Sequence, residues 1–332
     1  MKKIVFAITC LAAVLVSCGK NEGPAGTTPD KVRILYWNIQ NGMWADEAND
    51  YENFTAFVNR IKPDICIWCE AATIYKTGTD EYLGTVKNGY QVGTMPDHWV
   101  TIAQRYGHKY TFRSYRRNNY PQQITARFPI TKKWQSVDSE IQKDSTIVDG
   151  STLFEVDLFG PKLYVSTCHL WLYDWSYAAD GNKQLQNISI AENGGDKQRR
   201  AELEYMMNHA TEDYPDYAER LWIVAGDMNS ESHLDFPKED PAQPRFMAQY
   251  YMNTEANMVD ALKVFYPDTF VDTHNNGKRI DYVYVSPYTS QRLLDCHVEV
   301  NDPFVSNLTA SGVDKFMIPS DHRPIVLDIK IK

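Results

Sequence analysis

A small set of residues has the types and positions that phosphate chemistry needs: Asn38, Glu70, His169, Asp227, Asn229, Asp281 and the pair Asp321-His322. Each stands at the end of an apolar, strand-like run. Polar groups beside a rigid support are what a preorganised site requires. Glu70 lies in Trp68-Cys69-Glu70-Ala71-Ala72, among apolar neighbours. Burying that carboxylate unpaired is expensive, and a metal ion is one natural partner. Hard oxygen ligands of this kind suit Mg2+, with Mn2+ or Ca2+ as alternatives, rather than zinc. Magnesium typically takes one or two carboxylates and keeps waters for a substrate phosphate. Glu70 with Asn38 beside it fits that scheme. His169 and His322 could clamp a phosphate or give a proton. Asp227 could orient a water, and the Asn229 amide could hold an oxygen as negative charge grows on it.

Each residue also has a bland reading. Asn38 could bond a neighbouring loop, and Glu70 could pair with an arginine. His169 could be a satisfied core histidine. Asp321-His322 alone reads as a turn before a strand, and a buried Asp281–histidine pair also has purely structural uses. The Gly226-Asp227-Met228-Asn229 string is common by chance. Only the joint pattern points to chemistry.

The elements that must position these groups are legible in the chain. Val32 to Ile39 is a predicted strand, rich in aromatic and branched residues. Tyr51 to Ile61 follows as a helix with Phe54, Phe57, Val58 and Ile61 on one face. Pro63 stops it, and the strand Ile65 to Cys69 ends at Glu70. The same grammar returns in the second half. Lys162 to Thr167 is a strand leading to His169. Asp196 to Ala210 is a helix whose apolar face is Leu203, Met206, Met207 and Ala210. Leu221 to Ala225 is a strand leading to Asp227. Two strand–helix–strand units with polar groups at their strand ends suggest a pseudo-duplicated architecture. Further strands are predicted over Gln122 to Phe128, Lys132 to Val137, Leu153 to Leu158, Ile280 to Ser286, Asp295 to Val300 and Pro324 to Ile329. The fold class is α/β (or α+β), with most helices outside.

The N-terminus reads differently. Lys2 and Lys3 precede an apolar run from Ile4 to Val16, too short for the roughly 20 residues of a membrane span. Leu15-Val16-Ser17-Cys18 closes it, which is a secretory signal pattern. It resembles a bacterial lipobox, which implies residues 1–17 as a lipoprotein signal peptide and Cys18 as the lipidated mature N-terminus. Gly19 in place of Asp implies, by resemblance to Gram-negative sorting rules, an outer-membrane destination. Residues 18–31, rich in Gly, Pro, Thr and charge, read as a flexible tether, and 32–332 as one domain. A net charge of −9 argues against a basic groove that holds nucleic acid by phosphate neutralisation alone. It does not exclude phosphate chemistry, because a bound metal supplies local positive charge. Cys66 and Cys69 are three apart on a strand, so they point to opposite faces. With Cys168 and Cys296 they read as core residues, although an exported protein could pair some of them.

Six segments in order resemble the endonuclease/exonuclease/phosphatase superfamily, which includes deoxyribonuclease I, exonuclease III and neutral sphingomyelinases. They are Tyr36-Trp37-Asn38-Ile39-Gln40, residues 64–70, Ser166-Thr167-Cys168-His169-Leu170, Gly226-Asp227-Met228-Asn229-Ser230, Arg279-Ile280-Asp281-Tyr282-Val283 and Ser320-Asp321-His322-Arg323-Pro324. The resemblance implies a four-layer sandwich of two packed mixed β-sheets flanked by helices. It also implies an exported, divalent-metal-dependent hydrolase of a phosphodiester or phosphomonoester. Glu70 is then the metal ligand supported by Asn38, and Asp227 orients or deprotonates the attacking water. Asn229 stabilises the pentavalent phosphorus, His322 contacts the scissile phosphate, and Asp281 orients that histidine. Asp321 belongs to the metal or histidine shell, and His169 serves as phosphate clamp or general acid. Nucleic acid, phospholipid and sugar phosphate all remain open as substrates. The membrane enters as a partner only through the lipid anchor; no protein partner is evident, and a monomer is expected. The competing class is a non-catalytic surface protein that keeps the fold and binds glycans or proteins. Its candidate contacts are aromatics at Trp99, Tyr106, Tyr110, Tyr115 and 171–177. Within the family resemblance, some relatives place a catalytic-site Tyr or Glu near the unusual Pro121-Gln122-Gln123 strand start, a role that Asn119 or Tyr120 could fill.

Overall fold

Period-two alternation along the strands assigns every side chain to one of two apolar layers. The computed structural model of the protein describes residues 26–73, 86–87, 90–91, 93–94, 96–114, 121–136, 150–174, 194–306 and 318–332. Cys18, most of the tether, Tyr115, Asn119, Tyr120 and residues 175–177 lie outside the described residues. In chain order the sheet strands are β1 (Lys31–Asn38), β2 (Ile65–Cys69), β3 (Tyr110–Arg113), β4 (Gln123–Ala126), β5 (Ile130–Gln135), β6 (Ser151–Asp157), β7 (Lys162–His169), β8 (Leu221–Asp227), β9 (Val259–Asp260), β10 (Asp281–Val285), β11 (Leu293–Val298) and β12 (Ile325–Lys330). They form two six-stranded sheets, in the orders β11-β12-β1-β2-β4-β3 and β9-β10-β8-β7-β6-β5. Among the described residues, the helices of eight residues or more are α1 (Glu52–Ile61), α2 (Pro96–Arg105), α3 (Gly194–Thr211) and α4 (Met247–Thr254).

Val32, Ile34 and Tyr36 of β1 share one core with Ile65 and Ile67 of β2, Ile223 and Ala225 of β8, and Val283 and Val285 of β10. That core lies between the sheets. The alternate residues Leu35, Trp37, Cys66 and Trp68 turn outward to meet Phe54, Phe57 and Val58 of α1 and Trp99 of α2. On the other sheet, Trp222, Val224, Tyr282 and Tyr284 turn outward to meet Leu203, Met206 and Met207 of α3 and Met252 of α4. The result is helix, sheet, sheet, helix. Each fully buried Leu, Phe or Met contributes about 1.5–3 kcal/mol, and the central strands of both sheets are covered on both faces.

Each sheet carries one parallel pair. β1 runs parallel to β2, with Asn38 opposite Cys69. β7 runs parallel to β8, with His169 opposite Asp227. A parallel pair needs a crossover, and α1 and α3 lie in those crossovers. β12 is antiparallel to β1 and β10 is antiparallel to β8. The ends of β1, β2, β7 and β8 therefore meet the starts of β10 and β12 at one edge. This is the pseudo-duplication expected from the sequence.

The expected strands and the two expected helices appear with bounds within two residues of those read from the sequence. The first helix starts at Glu52 rather than Tyr51, because Tyr51 takes φ +58, outside the helical region. Strands β3 and β9 and helices α2 and α4 were not expected. β9 is two residues long, too short for periodicity to register. The four cysteines Cys66, Cys69, Cys168 and Cys296 are free and buried. Cys66 and Cys69 face different cores, as strand geometry requires. Trp99 stacks on Trp68 at 5.8 Å between ring centroids, and the Tyr106 hydroxyl reaches Thr125 Oγ1, so these two aromatics pack the interior.

Candidate active site

The strand ends bring Asn38, Glu70, His169, Asp227, Asp281 and His322 into one cluster. Its centre is the carboxylate of Asp227. One oxygen, Oδ1, accepts the backbone N–H of Asn229 at 3.1 Å. The other, Oδ2, accepts from Asn38 Nδ2 at 3.0 Å. Oδ2 also lies 3.7 Å from Nε2 of both His169 and His322. Asn38 Nδ2 is 3.2 Å from Glu70 Oε1 and 3.3 Å from His322 Nε2. The Asn38 side-chain oxygen accepts the Gln40 N–H at 3.1 Å. The amide of Asn38 therefore presents its nitrogen to the carboxylates of Glu70 and Asp227.

Local backbone geometry aims these groups. Glu70 and Asn229 both take positive φ, +52 and +48, so each strand breaks sharply where its functional residue begins. Such conformations are uncommon outside glycine and persist only where the surroundings hold them. The Asn229 side chain donates to Leu170 O at 3.1 Å, and Leu170 N–H donates to Asp227 O at 2.9 Å. The amide of Asn229 carries two hydrogens, so one is engaged by Leu170. Gly226 is required by crowding, since a β-carbon there would fall on the Cys168 carbonyl oxygen.

His322 is gripped from behind. Its Nδ1 is 2.7 Å from Asp281 Oδ2, and Tyr36 OH donates to Asp281 Oδ1 at 2.9 Å. Thr273 Oγ1 accepts the Asp281 N–H at 3.0 Å. The Ser320 hydroxyl accepts the His322 N–H at 3.0 Å and donates to Asn38 O at 2.6 Å. Burial works against the charged form of His322. The carboxylates of Asp281 and Asp227, the hydrogen bond to Asp281 and the charge of Asp321 outweigh it, and the pKa is pushed up to about 10. Burial pushes the Asp227 carboxyl up against the opposing pull of His322 and His169. Asp321 Oδ1 lies 3.8 Å from His322 Nε2. Burial acts to raise the Asp321 carboxyl, but His274 and His322 hold it below the usual carboxylate range.

Ligand atoms of Glu70, His169 and Asp227 all lie within 4.8 Å of one another, as do those of Asp227, Asp281 and His322. Several carboxylates thus crowd one sheet edge, and among the described residues Asp227, Asp281 and Asp321 pair there with histidines.

The family model for the endonuclease/exonuclease/phosphatase family matches residues 35–322. The chain belongs to the endonuclease/exonuclease/phosphatase family. Solved structures of that fold agree. An endonuclease/exonuclease/phosphatase from Beutenbergia cavernae superposes with a TM-score of 0.58 at 15% identity, over 91% of this chain and 72% of the other. An AP endonuclease from Archaeoglobus fulgidus gives a TM-score of 0.53 at 14% identity, over 90% of this chain and 100% of the other. The 3′ phosphatase NExo from Neisseria, solved with a product DNA hairpin, gives 0.55 at 14% identity, over 90% and 100%. No curated protein matches in sequence.

This family member holds more at its site than sequence reasoning identified. Tyr36, Thr273 and His274 were missed. Tyr36 lies in the Tyr36-Trp37-Asn38 stretch of β1, but its inward phenol looks like any strand tyrosine. His274 sits in an Asn-Asn-Gly turn with no local signal. Two aromatic-loop residues are placed: Trp171 is buried, and Tyr173 is exposed next to exposed Leu172. The buried Arg199 guanidinium donates to Trp171 O at 3.0 Å and to Tyr173 O at 3.1 Å, pinning that rim to α3.

Proposed function

We propose that the protein is a divalent-metal-dependent phosphoesterase that hydrolyses a phosphodiester or phosphomonoester by attack of water on phosphorus. The observation that carries this reading is the convergence on Asp227 Oδ2 of Asn38, His169 and His322, with Asp281 behind His322 at 2.7 Å. A non-catalytic binder has no use for that arrangement.

The donor set fits a hard cation. Glu70 and Asp227 offer carboxylate oxygens within 4.8 Å of each other, Asp321 offers another beside His322, and burial pushes the Asp227 carboxyl up, which added positive charge would offset. Glu70 and Asp321 would hold the ion, with Asn38 fixing the Glu70 carboxylate. When bound, Mg2+ (or Mn2+ or Ca2+) supplies positive charge that offsets the negative charge of the phosphoryl oxygens. The protein's own groups do the rest. Asp227 takes a proton from the water as its oxygen bonds to phosphorus. Charged His322, kept in one orientation by Asp281, hydrogen-bonds a phosphoryl oxygen. The remaining amide hydrogen of Asn229 meets the oxygen on which negative charge grows. The phosphorus–oxygen bond opposite the water breaks, and His169 supplies a hydrogen bond or proton to the departing side.

A cell-surface setting suits this reading. The signal and lipobox pattern supports export and lipid anchoring at Cys18, most simply in the outer membrane of a Gram-negative bacterium. The AP endonuclease and the 3′ phosphatase among the structural neighbours are named for DNA chemistry. The net charge of −9 weighs against a DNA-sized groove here and towards smaller phosphate esters or lipid headgroups. The test is release of p-nitrophenol from bis-p-nitrophenyl phosphate with added Mg2+. Activity is expected to disappear on chelation and in Asp227→Ala. Turnover that survives both refutes the reading.

A further inference from the structure

We infer that His274 is a positioning residue of this site: its Nε2–H holds Asp321 in the orientation that cation binding requires. The inference rests on the metal-dependent reading above and deepens it.

The segment around His274 is stitched to the motif that carries Asp321 and His322. His274 forms an antiparallel bridge with His322. Asn275 N–H donates to Asp321 O at 2.8 Å, and Arg323 N–H donates to Thr273 O at 2.7 Å. The backbone thus fixes where the His274 ring can go. The ring meets His322 edge-on, with centroids 4.6 Å apart at 86°. Its Nε2 faces Asp321 Oδ2 at 3.6 Å. That is ion-pair range, a few tenths of an ångström beyond a hydrogen bond.

His274, Asp321 and His322 also have ligand atoms within 4.8 Å of one another, which on distance alone suits a metal held by two histidines and one carboxylate. Hydrogen-bond bookkeeping decides against His274 as a ligand. Asn276 N–H donates to His274 Nδ1 at 3.1 Å. An imidazole nitrogen that accepts a hydrogen bond uses its lone pair, so the proton sits on the other nitrogen. Nε2 is then a donor, with no lone pair for a cation. Facing a carboxylate, it can only hold that carboxylate. Oδ2 of Asp321 is turned to His274, while Oδ1 is the oxygen nearer His322. His274 therefore decides which Asp321 oxygen faces the cation. Groups that orient a metal ligand in this way typically matter 10- to 100-fold for metal affinity or activity.

Two substitutions separate donor from packing. His274→Phe keeps a ring against His322 and removes the donor. His274→Gln loses the ring but places an N–H2 group near the position of Nε2. Mn2+ binding to the purified full-length protein, read by electron paramagnetic resonance, is the primary measurement. Its companions are kcat and KM on bis-p-nitrophenyl phosphate and the thermal midpoint. His274→Phe is expected to weaken Mn2+ binding about 10- to 100-fold, with His274→Gln recovering most of the loss. In an Asp321→Asn background, His274→Phe should cost little further, because its target is already gone. Parental Mn2+ affinity in His274→Phe overturns the inference. So does a His274→Gln variant as weak as His274→Phe, or additive losses in the double variant. If His274→Phe lowers the thermal midpoint, the double variant still decides between them. A parent protein that binds no Mn2+ and hydrolyses nothing refutes instead the metal-dependent reading on which the inference rests.

Discussion

Replacing Gly226 by alanine should damage both stability and turnover, for one geometric reason. Gly226 lies opposite Cys168 in the parallel pair β7–β8, one residue before Asp227. A β-carbon built there would fall on the carbonyl oxygen and the sulfur of Cys168, and 2.9 Å from its carbonyl carbon. Carbon contacts are comfortable only near 3.5–4.0 Å, so the two strands must part by about 1 Å. The carbonyl belongs to backbone and cannot rotate away as a side chain would. Overpacking of this kind costs about 1–3 kcal/mol. At about 2–4 °C per kcal/mol, the thermal midpoint should fall by several degrees. The same displacement separates His169 from Asp227, which are opposed in the next register position and 3.7 Å apart at their side chains. A misplacement of about 1 Å at a reacting group can cost on the order of 100-fold. The assay is differential scanning calorimetry beside kcat/KM on bis-p-nitrophenyl phosphate at saturating Mg2+. Adding Cys168→Ala to Gly226→Ala removes the sulfur contact but leaves the carbonyl contact, so only part of the midpoint should return. A Gly226→Ala protein with parental midpoint and parental kcat/KM would refute the reasoning.

Asp281→Asn keeps the shape of a fully buried side chain and removes the charge that grips His322 and accepts from Tyr36. It should lower kcat/KM by about 100- to 10,000-fold while the far-ultraviolet circular dichroism stays parental; parental turnover would contradict the role given to the pair. At the opposite end of β1, Asp328 receives Arg33 Nε at 2.7 Å and Arg33 Nη2 at 2.8 Å. Burial acts to raise its carboxyl, but Arg33 and Lys31 hold it below the usual carboxylate range. A lowered folded-state pKa contributes stability that is present above the unfolded value of about 3.9 and is lost as pH falls through the folded value. Asp328→Asn should therefore lower the thermal midpoint at pH 7, and the drop should shrink progressively as pH falls below about 3.9. A drop that stays constant with pH would show that packing, not charge, is at stake.

Much of the architecture is legible because alternation and strand ends are local signals. β2 was read at its observed bounds, since a five-residue apolar run between Pro63-Asp64 and Glu70 admits little else. The apolar face of α3 follows from spacing alone. What spacing cannot show is which sheet each face meets. Leu35 and Trp37 turn to α1 while Ile34 and Tyr36 turn to the other sheet, and all four read equally as strand residues. Strand β3, with Tyr110 and Phe112 exposed, escaped because its pattern resembles a polar loop with incidental aromatics.

At the site, the residue types were set by the chain itself: carboxylates, amides and histidines at the ends of apolar strands are a one-dimensional fact. Family membership follows from their order. Their relations were decided only in three dimensions. No sequence rule places Asn38, 189 residues from Asp227, at 3.0 Å from its oxygen. The bond exists because β1 and β8 belong to different sheets that end at one edge. Tyr36 and His274 entered the site for the same reason. A tyrosine on an inward face and a histidine in a turn acquire roles only when packing puts a carboxylate in reach. The sequence thus determined what chemistry was available, while the meeting of two sheet edges decided which groups share it.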